Sequence, residues 1–184
     1  MTKLVKWKKI NESVVFANRW INIIKKDIKT HNGEIINYYT IRGGHVVCAL
    51  GITDDNKIVL IKQYRPSIEN YTIDIPGGGS NIGEKMIDAI KREFEEETGY
   101  MLKSPKLLTE FYFDSGRSET KSSVYLGRAV NLNAQNLDKN ENIKVILHSI
   151  KKVKRLIESN TLIEPSLKIA FLHLLLLNKK NVDK

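Results

Sequence analysis

The stretch Gly83–Tyr100 reads GEKMIDAIKREFEEETGY, and four of the five residues from Glu93 to Glu97 are glutamate. The apolar spacing of Met86, Ile87, Ile90 and Phe94 predicts a helix with those four on its core-facing stripe. Gly99 follows as the natural C-cap, where a left-handed backbone costs glycine nothing. The acids therefore crowd the C-terminal turns, where the helix dipole is itself negative and each anion is unfavourable. On a wheel begun at Glu84, Glu93 falls at roughly 180° and Glu97 at roughly 220°, so the pair borders the buried stripe, with Glu96 beside it. Glu84 and Arg92 fall on the solvated side. A solvated charge run on a fraying last turn is the plain alternative. The placement favours a bound hard cation, Mg²⁺ or Mn²⁺, which takes oxygen ligands and reverses the unfavourable electrostatics.

Just upstream stands Pro76-Gly77-Gly78-Gly79. Such a run lets backbone approach a ligand closely and can offer carbonyls to a metal or amides to a phosphate. Glycines, helix and carboxylates together form a far stronger constellation than any part alone.

Bulk properties set the frame. The 184 residues suit a sizeable core, and 41% hydrophobic with 28% charged content is ordinary for a globular protein. One cysteine, Cys48, lies inside the apolar run HVVCALGI and reads as a core residue. A net charge of +9 favours anionic partners, but the basic residues are scattered and carry no aromatic interleaving, so nucleic acid is not the expected partner. The first residues, MTKLVKWKKINES, do not resemble a signal peptide. The most apolar run, Ile169–Leu177, is well short of the ~20 residues of a membrane span. A cytoplasmic location is expected.

Runs at Trp20–Thr30 and Glu34–Ile41 around Asn32-Gly33 predict a hairpin. Strands are expected at His45–Thr53, Lys57–Tyr64, Tyr71–Ile75, Leu107–Phe113, Ser122–Val130 and Asn142–Ser149. Helices are expected at Ile150–Ser159 and from Glu164 to Leu177, with Ser166 as N-cap. Strands flanking a central helix, with more helix at the end, indicate an α/β or α+β domain.

Gly78, five residues, Glu84, seven residues, then Arg92-Glu93-Phe94-Glu95-Glu96-Glu97-Thr98-Gly99-Tyr100 resembles the Nudix box, G-x5-E-x7-R-E-U-x-E-E-x-G-U, at every fixed position. Phe94 and Tyr100 fill apolar positions that are more often aliphatic. The resemblance implies an α/β/α sandwich with a central mixed sheet, preceded here by an N-terminal β-hairpin region, and Mg²⁺-dependent hydrolysis of a nucleoside diphosphate linked to another group. It makes Glu93 and Glu97 metal ligands and Glu96 a further ligand or water contact. Gly77 or Gly78 would lend a carbonyl to the metal, and Glu84 and Arg92 would hold the loop-helix-loop together.

Outside the box, Ile61–Pro66 (IKQYRP), the IPGG entry, FYFDSGRSE and NENIKV are similar to the ADP-ribose pyrophosphatase-like subgroup. That likeness implies residues 1–44 as a β-rich region that dimerises and 45–184 as the hydrolase domain. It implies Arg65 on the substrate phosphates, with Arg42 and Arg117 as further substrate contacts, and Glu141 as a metal ligand or helper of the attacking water. The general base stays open among Glu141, Glu119, Asp138 and Glu96. Asp114-Ser115-Gly116 stands where the subgroup often has a proline, which leaves the sugar open between ADP-ribose and a hexose conjugate such as GDP-mannose. A dinucleoside polyphosphate or RNA-cap hydrolase, or a non-catalytic nucleotide-binding module, are the alternative readings.

Overall fold

The computed structural model describes residues 3–131, 134–159, 161 and 163–180. The chain divides into two compact units, residues 1–44 with 112–121, and residues 45–111 with 122–184.

In the first unit, β1 (Lys8–Ala17), β2 (Asn22–Lys29) and β3 (Ile35–Arg42) form an antiparallel meander in the order β1-β2-β3. The β2–β3 hairpin turns at Asn32-Gly33, where Gly33 has φ +92°, as the sequence predicts. Strand β1 was not expected: KKINESVVFA lacks a clean alternation, and its pairing with β2 slips in register between Lys9 and Asn11 and between Val14 and Phe16. The segment 112–121 docks on β3, with Ile41 N–H donating to the Arg117 carbonyl (2.7 Å) and Glu119 N–H to the Ile41 carbonyl (2.9 Å).

The second unit is built on β4 (His45–Ile52), β5 (Lys57–Arg65), β6 (Asn70–Asp74), β7 (Gly77–Gly79), β8 (Tyr100–Tyr112), β9 (Lys121–Asn131) and β10 (Ile143–Ser149). Their sheet runs β10-β5-β4-β9-β8, with β6 paired to β5 and β7 to β4. The helices are α1 (Met86–Thr98), α2 (Ile150–Glu158) and α3 (Pro165–Lys180).

Strand alternation explains the layers. Successive side chains of a strand point to opposite faces. Cys48 and Leu50 of β4, with Ile58 and Leu60 of β5, pack on Val153 of α2 and on Leu167, Ala170, Phe171 and Leu174 of α3. Their neighbours Val47, Ala49 and Val59 pack on Ala89, Ile90 and Phe94 of α1. The result is the α/β/α sandwich with a central mixed sheet. Cys48 lies in the first of these layers, and burial pushes its thiol up to about 12.

Three expectations are corrected. Ile87, the second residue of α1, stays 38% exposed, and Ala89 takes its place in the core beside Ile90 and Phe94. Ser166 lies inside α3 rather than capping it, and its hydroxyl donates to Asp74 Oδ1. Strand β8 also starts earlier than its apolar run suggests, directly after the α1 cap. Among the described residues, no helix is long and apolar enough to cross a membrane.

Phe94 is fully buried and anchors α1 to the sheet. Phe94→Ala is expected to cost about 3–5 kcal/mol, measured by urea unfolding. A loss below about 1 kcal/mol would show that α1 is held by its polar contacts instead.

Candidate active site

The acidic edge of α1 is assembled by a strap and a fork. The strap is β7, paired with β4 through Val46–Gly79, Val47–Gly78 and Cys48–Gly77. It carries glycine because Glu93 packs directly on it: a Cβ on Gly78 would sit 2.3 Å from Glu93 Oε2. The fork is Arg92. Its Nε and Nη2 meet Glu84 Oε1 and Oε2 at 3.0 and 2.9 Å, a bidentate pair, and Nη2 also reaches the Gly79 carbonyl at 3.2 Å. Its Nη1 donates to Glu93 Oε1 (2.8 Å) and Glu96 Oε2 (3.1 Å). Glu84 in turn accepts from Asn81 N–H at 2.8 Å. One guanidinium thus joins the glycine strap, the loop before α1 and two acids of its last turns. Its neighbours raise the Arg92 pKa further and hold Glu84 down at about 2.

Among the described residues, Glu97 has no such cation. It is 6% exposed and accepts from the Gly77 N–H at 2.7 Å. Burial pushes its carboxyl up to about 8, against the pull of that N–H, and the carboxylates of Glu93, Glu141 and Asp74 add to the rise. Glu93 is raised as well, chiefly by burial, although Arg92 opposes the shift. Glu97 is buried, Glu93 beside it is half-buried and paired with Arg92, and the two together carry unneutralised charge whenever both ionise.

Glu141 lies in a tight turn. Its carboxylate accepts from Asp138 N–H (3.0 Å), and its own N–H donates to the Asp138 carbonyl (2.8 Å). Arg65 pairs through Nε with Glu164 Oε1 at 3.3 Å. These residues and the box belong to the second unit. Arg42, Arg117 and Glu119 belong to the first. There Glu119 pairs with both Lys26 and Arg42, which lower its pKa. Arg42 also meets Glu12 at 3.0 Å. The exposed Arg117 contributes backbone contacts to Ile41 and Thr40.

Sequence reasoning missed two residues. Asp74, alone among apolar neighbours in TIDIP, is pushed up to about 7 by burial, against hydrogen bonds from Ser166 and the Ile75 N–H. Gln135 sits in the polar stretch NLNAQNLD, where nothing marks it; its amide donates to the carbonyls of Glu97 (2.6 Å) and Ile143 (3.1 Å).

Among the described residues, no three His, Cys, Asp or Glu side chains are already gathered as a metal cage. The carboxylates are instead engaged one by one: Glu93 and Glu96 by Arg92, Glu97 by Gly77, Glu141 by its own turn. The donor chemistry nonetheless fits a hard divalent cation. All the groups are oxygens, and the deepest, Glu97, has no counter-charge among the described residues.

A stability signature follows. Glu97 holds its proton up to about pH 8 when folded, against 4.5 as its ordinary value. Between those limits the metal-free folded state binds more protons than the unfolded chain, so stability falls as pH rises through the window. Glu97→Gln keeps an oxygen for the Gly77 N–H and has no charge to bury. In EDTA its melting temperature is expected to exceed that of the wild type at about pH 8, with a shallower decline from about pH 5. Parallel melting curves for the two proteins would refute the assignment of that proton to Glu97.

Known proteins share this sequence pattern and fold. A family model described as the NUDIX domain matches residues 44–166. The chain is 28% identical to an ADP-ribose pyrophosphatase of Bacillus subtilis (strain 168), over 85% of this chain and 86% of the relative. It is 31% identical to a methanol dehydrogenase activator of Bacillus methanolicus, over 89% and 92% of the two chains. It is 27% identical to the ADP-sugar pyrophosphatase of Mus musculus, over 62% and 57%. A crystal structure of an ADP compounds hydrolase superposes with a TM-score of 0.85 at 20% identity, covering 98% of both chains, and shares the fold. The box from Gly78 to Tyr100, the sandwich that presents it and a family model spanning most of the chain lead to one conclusion: the protein belongs to the Nudix hydrolase family.

Proposed function

We propose that the protein hydrolyses the diphosphate linkage of a nucleoside diphosphate sugar, ADP-ribose or a hexose conjugate such as GDP-mannose, to a nucleoside monophosphate and a sugar phosphate. The observation that carries this is the pair Glu93 and Glu97 at the core-facing edge of α1, with Glu97 lacking a cation among the described residues and bonded to the glycine strap. The pyrophosphatases among the relatives support the choice of substrate class.

Glu93, Glu97, Glu96 and Glu141 would hold Mg²⁺, or Mn²⁺ in its place, with a carbonyl of Gly77 or Gly78. A bound divalent ion supplies charge neutralisation and Lewis acidity to the diphosphate. The chain's own groups do the rest. Arg65 exchanges Glu164 for a phosphate oxygen and stabilises the charge that builds there. Glu141 takes the proton of the attacking water. Glu119 is the poorer base, since Lys26 and Arg42 hold it ionised and lower its basicity. Glu84 and Arg92 keep the strap and helix in register.

The chain acts, in this reading, as a cytoplasmic homodimer joined through residues 1–44. That region leaves Val14 (62%), Trp20 (76%) and Ile35 (65%) exposed, apolar side chains that such an interface would cover.

A panel of nucleotide sugars with Mg²⁺ and with EDTA, resolved by chromatography, is expected to show metal-dependent release of both monophosphates. Glu97→Gln is expected to lower kcat at least about 100-fold in a protein that still folds. Near-normal turnover of that variant at saturating Mg²⁺ would overturn the ligand assignment. Light scattering is expected to give a dimer mass for the wild type and a monomer mass for Val14→Asp/Ile35→Asp; a monomeric wild type would refute the interface.

A further inference from the structure

Glu141 sits on a loop, yet a group that handles a proton must be held to within a fraction of an ångström. The loop's two ends show how it is fixed. Gln135 uses one side-chain amide to donate to the carbonyl of Glu97, in the last turn of α1, and to the carbonyl of Ile143, the first residue of β10. Next to it, Asn136 N–H donates to the Glu96 carbonyl at 2.9 Å. The last carbonyls of a helix have no intrahelical partner, so these donors both satisfy α1 and tie the loop to it. Ile143 is buried, so the far end is anchored in the core. Between the ends, the reciprocal Asp138–Glu141 bonds fold the loop on itself.

We propose that Gln135 is a positioning residue: by bridging Glu97 and Ile143 it closes residues 136–142 into a ring on the C-terminal turn of α1 and sets where Glu141 stands relative to Glu93 and Glu97. The bridge makes no use of the Gln135 carboxamide oxygen; its two donors carry it. Both contacts go to backbone, so the loop's placement is set by α1 and β10 rather than by any mobile side chain. This inference rests on the proposed role of Glu141.

The test is a double-mutant cycle with Gln135→Met, which keeps length and removes the donors, and Glu141→Gln. Gln135→Met alone is expected to lower kcat roughly tenfold with KM little changed, and to have no further effect in the Glu141→Gln background. Multiplicative losses would overturn the proposal, since Gln135 would then act independently of Glu141. A Glu141→Gln protein with wild-type kcat would overturn it too. Hydrogen exchange provides the arm that needs no turnover: Gln135→Met is expected to speed exchange over residues 136–142 while residues 86–94 of α1 keep their protection. Unchanged exchange over 136–142 would sink the bridge even if no nucleotide sugar were hydrolysed, and inactivity of the wild type would count against the hydrolase reading alone.

Discussion

The burial of the Glu97 carboxylate at the negative end of a helix is the constraint around which the second unit is arranged. Such a group tends to expel its charge by taking a proton, to leave the core, or to attract a cation. Here it cannot leave, because Phe94 and Ile90 fix the face of α1 and the glycine strap closes over it. Among the described residues the compensation is partial, a backbone N–H from Gly77. The neighbouring acids are treated differently: Arg92 neutralises Glu93 and Glu96 while binding Glu84 and the Gly79 carbonyl. One cation for several anions leaves a local excess of negative charge, which the proposed divalent ion would offset.

The sheet makes this tension sustainable. Burying an uncompensated acid costs several kcal/mol, and the cost must be offset by packing elsewhere. Two apolar layers on opposite faces of β4 and β5 do so, one against α1 and one against α2 and α3. The helix with the site is therefore pressed on a rigid surface, while the acid-bearing loop from 134 to 141 is held by a few polar bonds.

Much of this was legible in the residues. The apolar spacing of Ile90 and Phe94, the Gly99 cap and the position of Glu97 follow from helix geometry, and the structure places all of them so. The β2–β3 hairpin is written in Asn32-Gly33. What could not be read is equally specific. Ile87 fits the wheel but stays 38% exposed, because Met86 before it and Ala89 and Ile90 after it take the contacts with the sheet, so periodicity overstates its burial. Strand β1 carries its apolar residues outward, and no alternation toward a core announces it. Ser166 has the look of a cap, but a buried Asp74 claims its hydroxyl. Gln135 is invisible because its partners are backbone carbonyls, one of them 38 residues back at Glu97, and single-residue chemistry says nothing about where a loop will land.

Cys48 lies on the β4 face opposite Val47 and Ala49, walled in by the layer that α2 and α3 complete, with its thiol deprotonating only near pH 12. A thiolate is the reactive form, so this sulfur is silent toward disulfides and alkylating reagents while the sandwich is closed. It wakes only when the layer parts. The chain thus contains a single chemical clock for its own opening: the rate at which a thiol reagent marks the protein reports how often α2 and α3 lift from the sheet, and a ligand that tightens the domain would slow that clock without touching the sulfur.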